Sequence, residues 1–129
     1  MFKLFKKNQA TIPVVKEIPA AAGTYAVGET LAYNAAGLVA QVAGTTVPEF
    51  VCASDATVAS GTTIAVNPVF EDMEFVTVFS ADGSALKAGA KVTISTTFDS
   101  VTATTTNGVA EIVEKLGTGA SGTEVIVKF

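Results

Sequence analysis

The side chains able to do chemistry in this 129-residue chain are few, and most stand alone. Gly117-Thr-Gly-Ala-Ser-Gly122 spells G-x-G-x-x-G, the pattern of a dinucleotide-binding loop. That chemistry requires the loop to leave a strand and open a helix, whose first amides then hold the pyrophosphate. Seven residues follow Gly122, too few for the helix, the second strand and the ribose-binding acid, so the run reads as a connecting loop. Glu71, Asp72 and Glu74 form the densest acidic cluster. Paired carboxylates can do acid–base work or bind Ca²⁺, but EF-hand spacing and the further oxygen ligands are missing. The cluster reads instead as a solvated strand entry facing Lys side chains of another chain. Cys52 lies in an apolar run with no adjacent cation to lower its pKa, so it reads as a small buried hydrophobe.

The residue types that are missing narrow the chemistry further. There is no His and no Trp, there is one Cys, and all eight cations are Lys. Without His there is no Ser–His or Cys–His nucleophile pair and no HExxH zinc site. One Cys excludes an internal disulfide framework and any Cys-based metal cluster. Bidentate phosphate clamping needs the guanidinium fork that Lys lacks. A Ser or Thr nucleophile would need a Lys partner, and no S-x-x-K occurs. The expectation is a protein that is not an enzyme, with no catalytic residue, no cofactor and no metal.

Charge is divided unevenly along the chain. The net charge is −4, yet residues 1–16 hold four Lys and no acid (+4), while residues 17–129 hold the other four Lys and all twelve acids (−8). An acidic body repels nucleic acid and anionic membranes, and a basic terminal segment reads as an interaction arm. No unbroken apolar stretch follows the first Lys residues, because Asn8, Gln9, Pro13 and Lys16 interrupt it, so a secretory signal is not expected. The longest uncharged stretch, residues 30–48, carries Asn34, Gln41, three Thr and two Gly, too polar for a spanning helix.

Residues 1–19 have the character of an extended arm. Pro13 and Pro19 bracket Val14-Val15-Lys16-Glu17-Ile18 and hold it extended. Burying the arm's apolar side chains does not by itself offset the entropy of ordering it, so it is expected to order only against a partner surface that also supplies backbone hydrogen bonds or charge pairs. Four uses are open: nucleic-acid binding, membrane-surface binding, docking along another protein, and a merely solvated tail. Four Lys with only Phe2 and Phe5 for stacking suit nucleic acid poorly, and one short turn buries too little in a membrane. Docking, for example by adding a strand to another sheet, is favoured.

The body, residues 20–129, reads as short strands between Gly, Asn and Asp. Its β-branched share and abundant Thr favour strands over helices. Residues 29–34 and 38–42 form a hairpin; 50–54 and 62–66 follow; 73–79 places Met73, Phe75 and Phe79 on one face. Asn107-Gly108 suggests a type I′ turn joining strands 101–106 and 109–116. Val109, Ile112, Val113 and Leu116 also fit two turns of helix capped by Gly117, but the Asn-Gly turn favours a strand. Residues 123–129 close the chain as a strand. Eight or nine short strands predict an all-β fold, a small antiparallel β-barrel or sandwich with an extended N-terminal arm.

Seven stretches in order carry a likeness: Gly23-Thr-Tyr-Ala-Val-Gly28-Glu-Thr-Leu, Asn34-Ala-Ala-Gly-Leu-Val, Val51-Cys-Ala-Ser, Ser60-Gly61-Thr-Thr-Ile-Ala-Val, Glu74-Phe75, Leu86-Lys-Ala-Gly89-Ala-Lys-Val and Ala120-Ser-Gly122-Thr-Glu-Val-Ile-Val-Lys-Phe129. Over residues 20–129 the chain resembles the small head-decoration, or capsid cement, proteins of tailed bacteriophages. The resemblance implies a compact β domain on the outer surface of the mature virion head, assembled in the host cytoplasm. It implies homotrimers at three-fold or quasi-three-fold sites and the major capsid protein as partner, with no nucleic acid and no membrane. An extended terminal segment in that family staples neighbouring capsomers. Here that role would fall to Phe2, Lys3, Leu4, Phe5, Lys6, Lys7, Ile12, Val14, Val15, Lys16 and Ile18, a stretch with no family motif to match. The alternative is a virion- or cell-surface carbohydrate- or receptor-binding module. With no Trp and only Tyr25 and Tyr33, it has little aromatic platform.

Overall fold

A computed structural model of the chain describes residues 1–7, 14–71 and 73–129. Among the described residues there are twelve strands and no helix. They are β1 Lys3–Lys7, β2 Lys16–Pro19, β3 Gly23–Tyr25, β4 Thr30–Tyr33, β5 Val39–Gln41, β6 Phe50–Cys52, β7 Ala56–Val58, β8 Thr63–Pro68, β9 Met73–Val78, β10 Lys91–Val92, β11 Ala110–Lys115 and β12 Glu124–Lys128. The longer ones alternate as a half-buried pleat requires. Ile64, Val66 and Pro68 point inward from β8, and Met73, Phe75 and Thr77 from β9.

The first sheet runs β1-β9-β12-β11-β10, the second β2-β8-β6-β4-β5, and β3 pairs with β7 in a small third. All the strand pairs are antiparallel and none of the sheets closes into a barrel, so the all-β fold is sandwich-like. The chain passes from the second sheet to the first between β8 and β9. Strands β1 and β2 lie antiparallel to β9 and β8: Lys3 is opposite Val76, Lys7 opposite Met73, Lys16 opposite Val66 and Pro19 opposite Thr63.

Two apolar clusters fill the interior. The first is built on the first sheet, from Phe75, Phe79, Val92, Ile112 and Val125 with Phe2 among them. The second lies against the second sheet, where Leu31, Phe50, Ile64 and Val66 meet Ala20 and Tyr25. Strand β6 takes part in both, because Val51 joins the first cluster while Phe50 and Cys52 join the second. Buried polar groups are paired. The Tyr25 hydroxyl donates to the Ala21 carbonyl at 2.7 Å, the Thr30 hydroxyl to that of Val42 at 2.7 Å, and the Ser95 and Ser100 hydroxyls meet at 2.7 Å. Cys52 is free and buried, and its thiol donates to the Ser54 carbonyl at 3.2 Å.

The hairpin of 29–34 with 38–42 forms, as β4 with β5, and 109–116 is a strand, β11. The pairing expected across Asn107-Gly108 does not form. Strand β11 pairs with β10 and β12, whereas Thr102 N–H donates to the Thr93 carbonyl at 2.9 Å and Thr93 N–H to that of Thr104 at 3.0 Å. Burial outweighs turn chemistry: Val101 bridges both Ile94 and Phe79 and is fully buried there. Asn107 has a positive φ of 54° but Gly108 does not, so the Asn-Gly pair lacks the two positive φ angles of type I′. Gly108 serves another purpose. A Cβ on it would lie 2.3 Å from the Lys91 carbonyl carbon and oxygen, so only Gly lets this segment approach β10.

Gly108→Ala therefore places a methyl group against immovable backbone, and should lower the unfolding free energy by about 1–3 kcal/mol, as overpacking does. Urea denaturation with unchanged slope measures it; a stability equal to the parent would mean that β10 and β11 separate without cost.

Burial pushes the Cys52 thiol and the Tyr25 hydroxyl above their ordinary ranges. The folded state then holds both protons more tightly than the unfolded chain. Their stabilisation is complete below the unperturbed thiol value of about 8.5 and is lost as pH rises through the folded-state values. Urea midpoints should stay level at neutral pH and decline at alkaline pH, with the earlier part of the decline removed in Cys52→Ala. An identical profile in that variant would dismiss the thiol as a contributor.

Candidate docking surface

The arm residues separate into two sets once their strands are placed. Strand β1 pairs with β9, and its register slips between Leu4 and Lys6, leaving Phe5 in a bulge. Ahead of the bulge Phe2 is 2% exposed; its N–H donates to the Gly28 carbonyl at 2.9 Å and its ring lies 5.3 Å from that of Phe129. Phe129 in turn meets Phe75 at 5.6 Å, so three rings tie the arm to β9 and to the end of β12. Leu4 is half-buried against the same cluster. The Met1 amine donates to the Asp99 carbonyl and lies 3.8 Å from its carboxylate. Burial lowers that amine's pKa, against the opposing pull of Asp99.

Strand β2 is held differently. Ile18 packs partly buried on the second cluster, and the Asn67 side-chain amide donates to the Val14 carbonyl at 2.8 Å. Lys3 and Lys16 face solvent, as do Phe5 (45% exposed), Val14 (40%) and Val15 (57%). The backbone of Lys6 lies opposite Glu74 and that of Lys7 opposite Met73. Ile12, also expected in the arm, and Asp72 of the acidic cluster lie outside the described residues. The structure thus joins Phe2, Leu4 and Ile18 as anchors and leaves Lys3, Phe5, Val14, Val15 and Lys16 outward.

The outward set is both apolar and cationic. Of nine large apolar side chains exposed among the described residues, four (Met1, Phe5, Val14 and Val15) belong to the arm. The ion pairs among the described residues are those of the Met1 amine with Asp99 and of Lys128 with Glu111 at 3.6 Å. Neither Lys3 nor Lys16 takes part in them, so these charges are available to a partner. The body's acids are partly committed to backbone: Glu49 accepts from Tyr33 N–H at 2.9 Å and Asp55 from Val27 N–H at 2.8 Å.

Gly117–Gly122 joins β11 to β12 with no helix after it, and Gly119 accepts from Gly83 N–H at 2.8 Å. Glu71 is exposed and Glu74 sits half-buried on β9. No cluster of three metal-capable side chains occurs among the described residues, and no helix there is long and apolar enough to cross a membrane. A depression of about 120 Å³ is lined by Met1, Lys3, Val76, Thr77, Val78 and Glu124. A surface groove of about 430 Å³ beside β3 and β7 offers Thr24, Asp55 and Thr57. Sequence reasoning missed Asn67 and Phe129, which hold the arm from distant parts of the chain and have no local signature. No family model and no curated protein matches this chain.

The division into anchors and outward residues has a measurable consequence. Phe2→Ala should cost about 3–5 kcal/mol, the usual loss for a buried ring. Phe5→Ala and Val15→Ala should stay within about 0.5 kcal/mol of the parent, as surface changes do. Comparable losses at positions 2 and 5 would mean that Phe5 is an anchor as well.

Proposed function

We propose that this chain is a capsid decoration protein of a tailed phage, binding the outer surface of the mature head and bridging neighbouring capsomers through its N-terminal segment. One observation carries the reading: a segment anchored by Phe2, Leu4 and Ile18 that turns Lys3, Phe5, Val14, Val15 and Lys16 to solvent on an otherwise acidic molecule. Exposed apolar tracts rimmed by charge are the usual signature of a protein–protein surface. The resemblance over residues 20–129 supplies the rest: the major capsid protein as partner, trimers at three-fold or quasi-three-fold positions, and a place on the virion exterior. Repetition makes weak contacts sufficient, because a protein tethered at one contact makes the next at high effective concentration. The carbohydrate-module reading has less behind it, since Tyr25 is buried with its hydroxyl committed to backbone and only Tyr33 is exposed.

The test separates docking from folding. A triple variant, Phe5→Ser, Val15→Ser and Lys16→Glu, alters solvent-facing groups alone and should keep the parent's unfolding midpoint. Its binding to expanded heads, assembled from the major capsid protein encoded alongside this chain, should weaken by at least about tenfold, equivalent to about 1.4 kcal/mol. Undiminished co-sedimentation of the variant with such heads would remove the arm from the interface.

A further inference from the structure

The turn that fails to make the expected hairpin places an asparagine in a chemically exposed position. Thr106-Asn107 forms the corner of a turn in which Gly108 N–H donates to the Thr105 carbonyl at 3.3 Å, a long bond, and Asn107 is exposed with φ 54°. No hydrogen bond engages its side-chain amide. The residue after it is held as Gly by the close approach to Lys91, so the fold cannot shield the amide with a bulkier successor.

We propose that Asn107 is a site of spontaneous deamidation in the folded protein. The Gly108 backbone nitrogen, giving up its proton to solvent base, attacks Cγ of Asn107. The new C–N bond closes a succinimide, the Cγ–Nδ2 bond breaks, and ammonia leaves. Water then opens the ring at either carbonyl, leaving aspartate or isoaspartate at 107. Glycine is the least hindered successor for this attack because it has no side chain beside the nucleophilic nitrogen. The product adds one negative charge to a molecule already at −4. In its isoaspartate form it also lengthens the main chain beside the Gly108–Lys91 contact.

The other described asparagines are protected for separate reasons. Asn34 Oδ1 accepts from Ala36 N–H at 2.9 Å and Leu38 N–H at 3.1 Å, which fixes its side chain, and its successor is Ala35. Asn67 precedes Pro68, which has no N–H to form the nucleophile, and its amide is bound to the Val14 carbonyl. Asparagine is a recognised thermolabile residue, and here position and not composition selects which one reacts.

The inference is independent of the capsid reading. Full-length protein incubated at mildly alkaline pH and physiological temperature is digested and mapped by mass spectrometry, beside a sample held unfolded in urea. The folded protein should show an acidic shift of isoelectric point and the amide-to-acid mass gain at 107, faster than at Asn34, with Asn67 unconverted. An isoaspartate-specific methyltransferase should label the same peptide. An Asn107 that stays intact in the folded protein while the unfolded sample loses it, or loss at Asn34 at an equal rate, overturns the proposal.

Discussion

The fold depends on the pairing of the N-terminal strands with the body, of β1 with β9 and of β2 with β8. Without it both five-stranded sheets would end on long inner strands, β8 in one and β9 in the other, with unpaired N–H and C=O groups. Open edges of that kind invite pairing with other chains. The segment covers both, and Phe2 and Ile18 fasten it to the two clusters separately. The order that the arm could not reach alone comes from its own body, which supplies the ladder of hydrogen bonds that its apolar side chains could not replace.

Covering an edge moves the exposed edge outward to β1 and β2, and both carry devices that discourage further pairing. Strand β1 has Lys3 ahead of a bulge, and β2 has Lys16 and Glu17 before Pro19, which has no N–H to offer. The basic charge of the arm therefore has a structural reason beside its proposed use in docking. These are compatible demands. A partner that reads side chains, Lys and exposed Phe or Val, does not need a free backbone edge, so the same residues can guard against strand addition and still present a specific surface.

Much of this was legible in the sequence, and the parts that were not have a common cause. The alternation of Met73, Phe75 and Phe79, the hairpin of β4 and β5, and the buried Cys52 all follow from neighbours within a few residues. The partner of 109–116 did not, because Asn107-Gly108 advertises a local hairpin while the winning contacts join Val101 to Ile94 and Phe79. The arm showed the same blindness. Its eleven candidate residues looked alike, and their division depends on Phe129, Gly28 and Asn67, none of which is near in sequence.

The separation of charge now has a geometric meaning. All the acids but Glu17 belong to the body, which also holds four Lys, while Lys3 and Lys16 lie on the two strands that close its sheets and enter none of the ion pairs among the described residues. The net negative charge disfavours approach between copies at long range, and in the proposed docking a surface that attracts Lys3 and Lys16 would orient each copy in the same way. Screening at physiological ionic strength, over about 8 Å, confines that orientation to short range. The apolar side chains beside the cations, Phe5, Val14 and Val15, must then contribute the part of the affinity that salt does not weaken. In the proposed docking, charge alone would give an orientation without a lasting hold, and the apolar component would supply the hold.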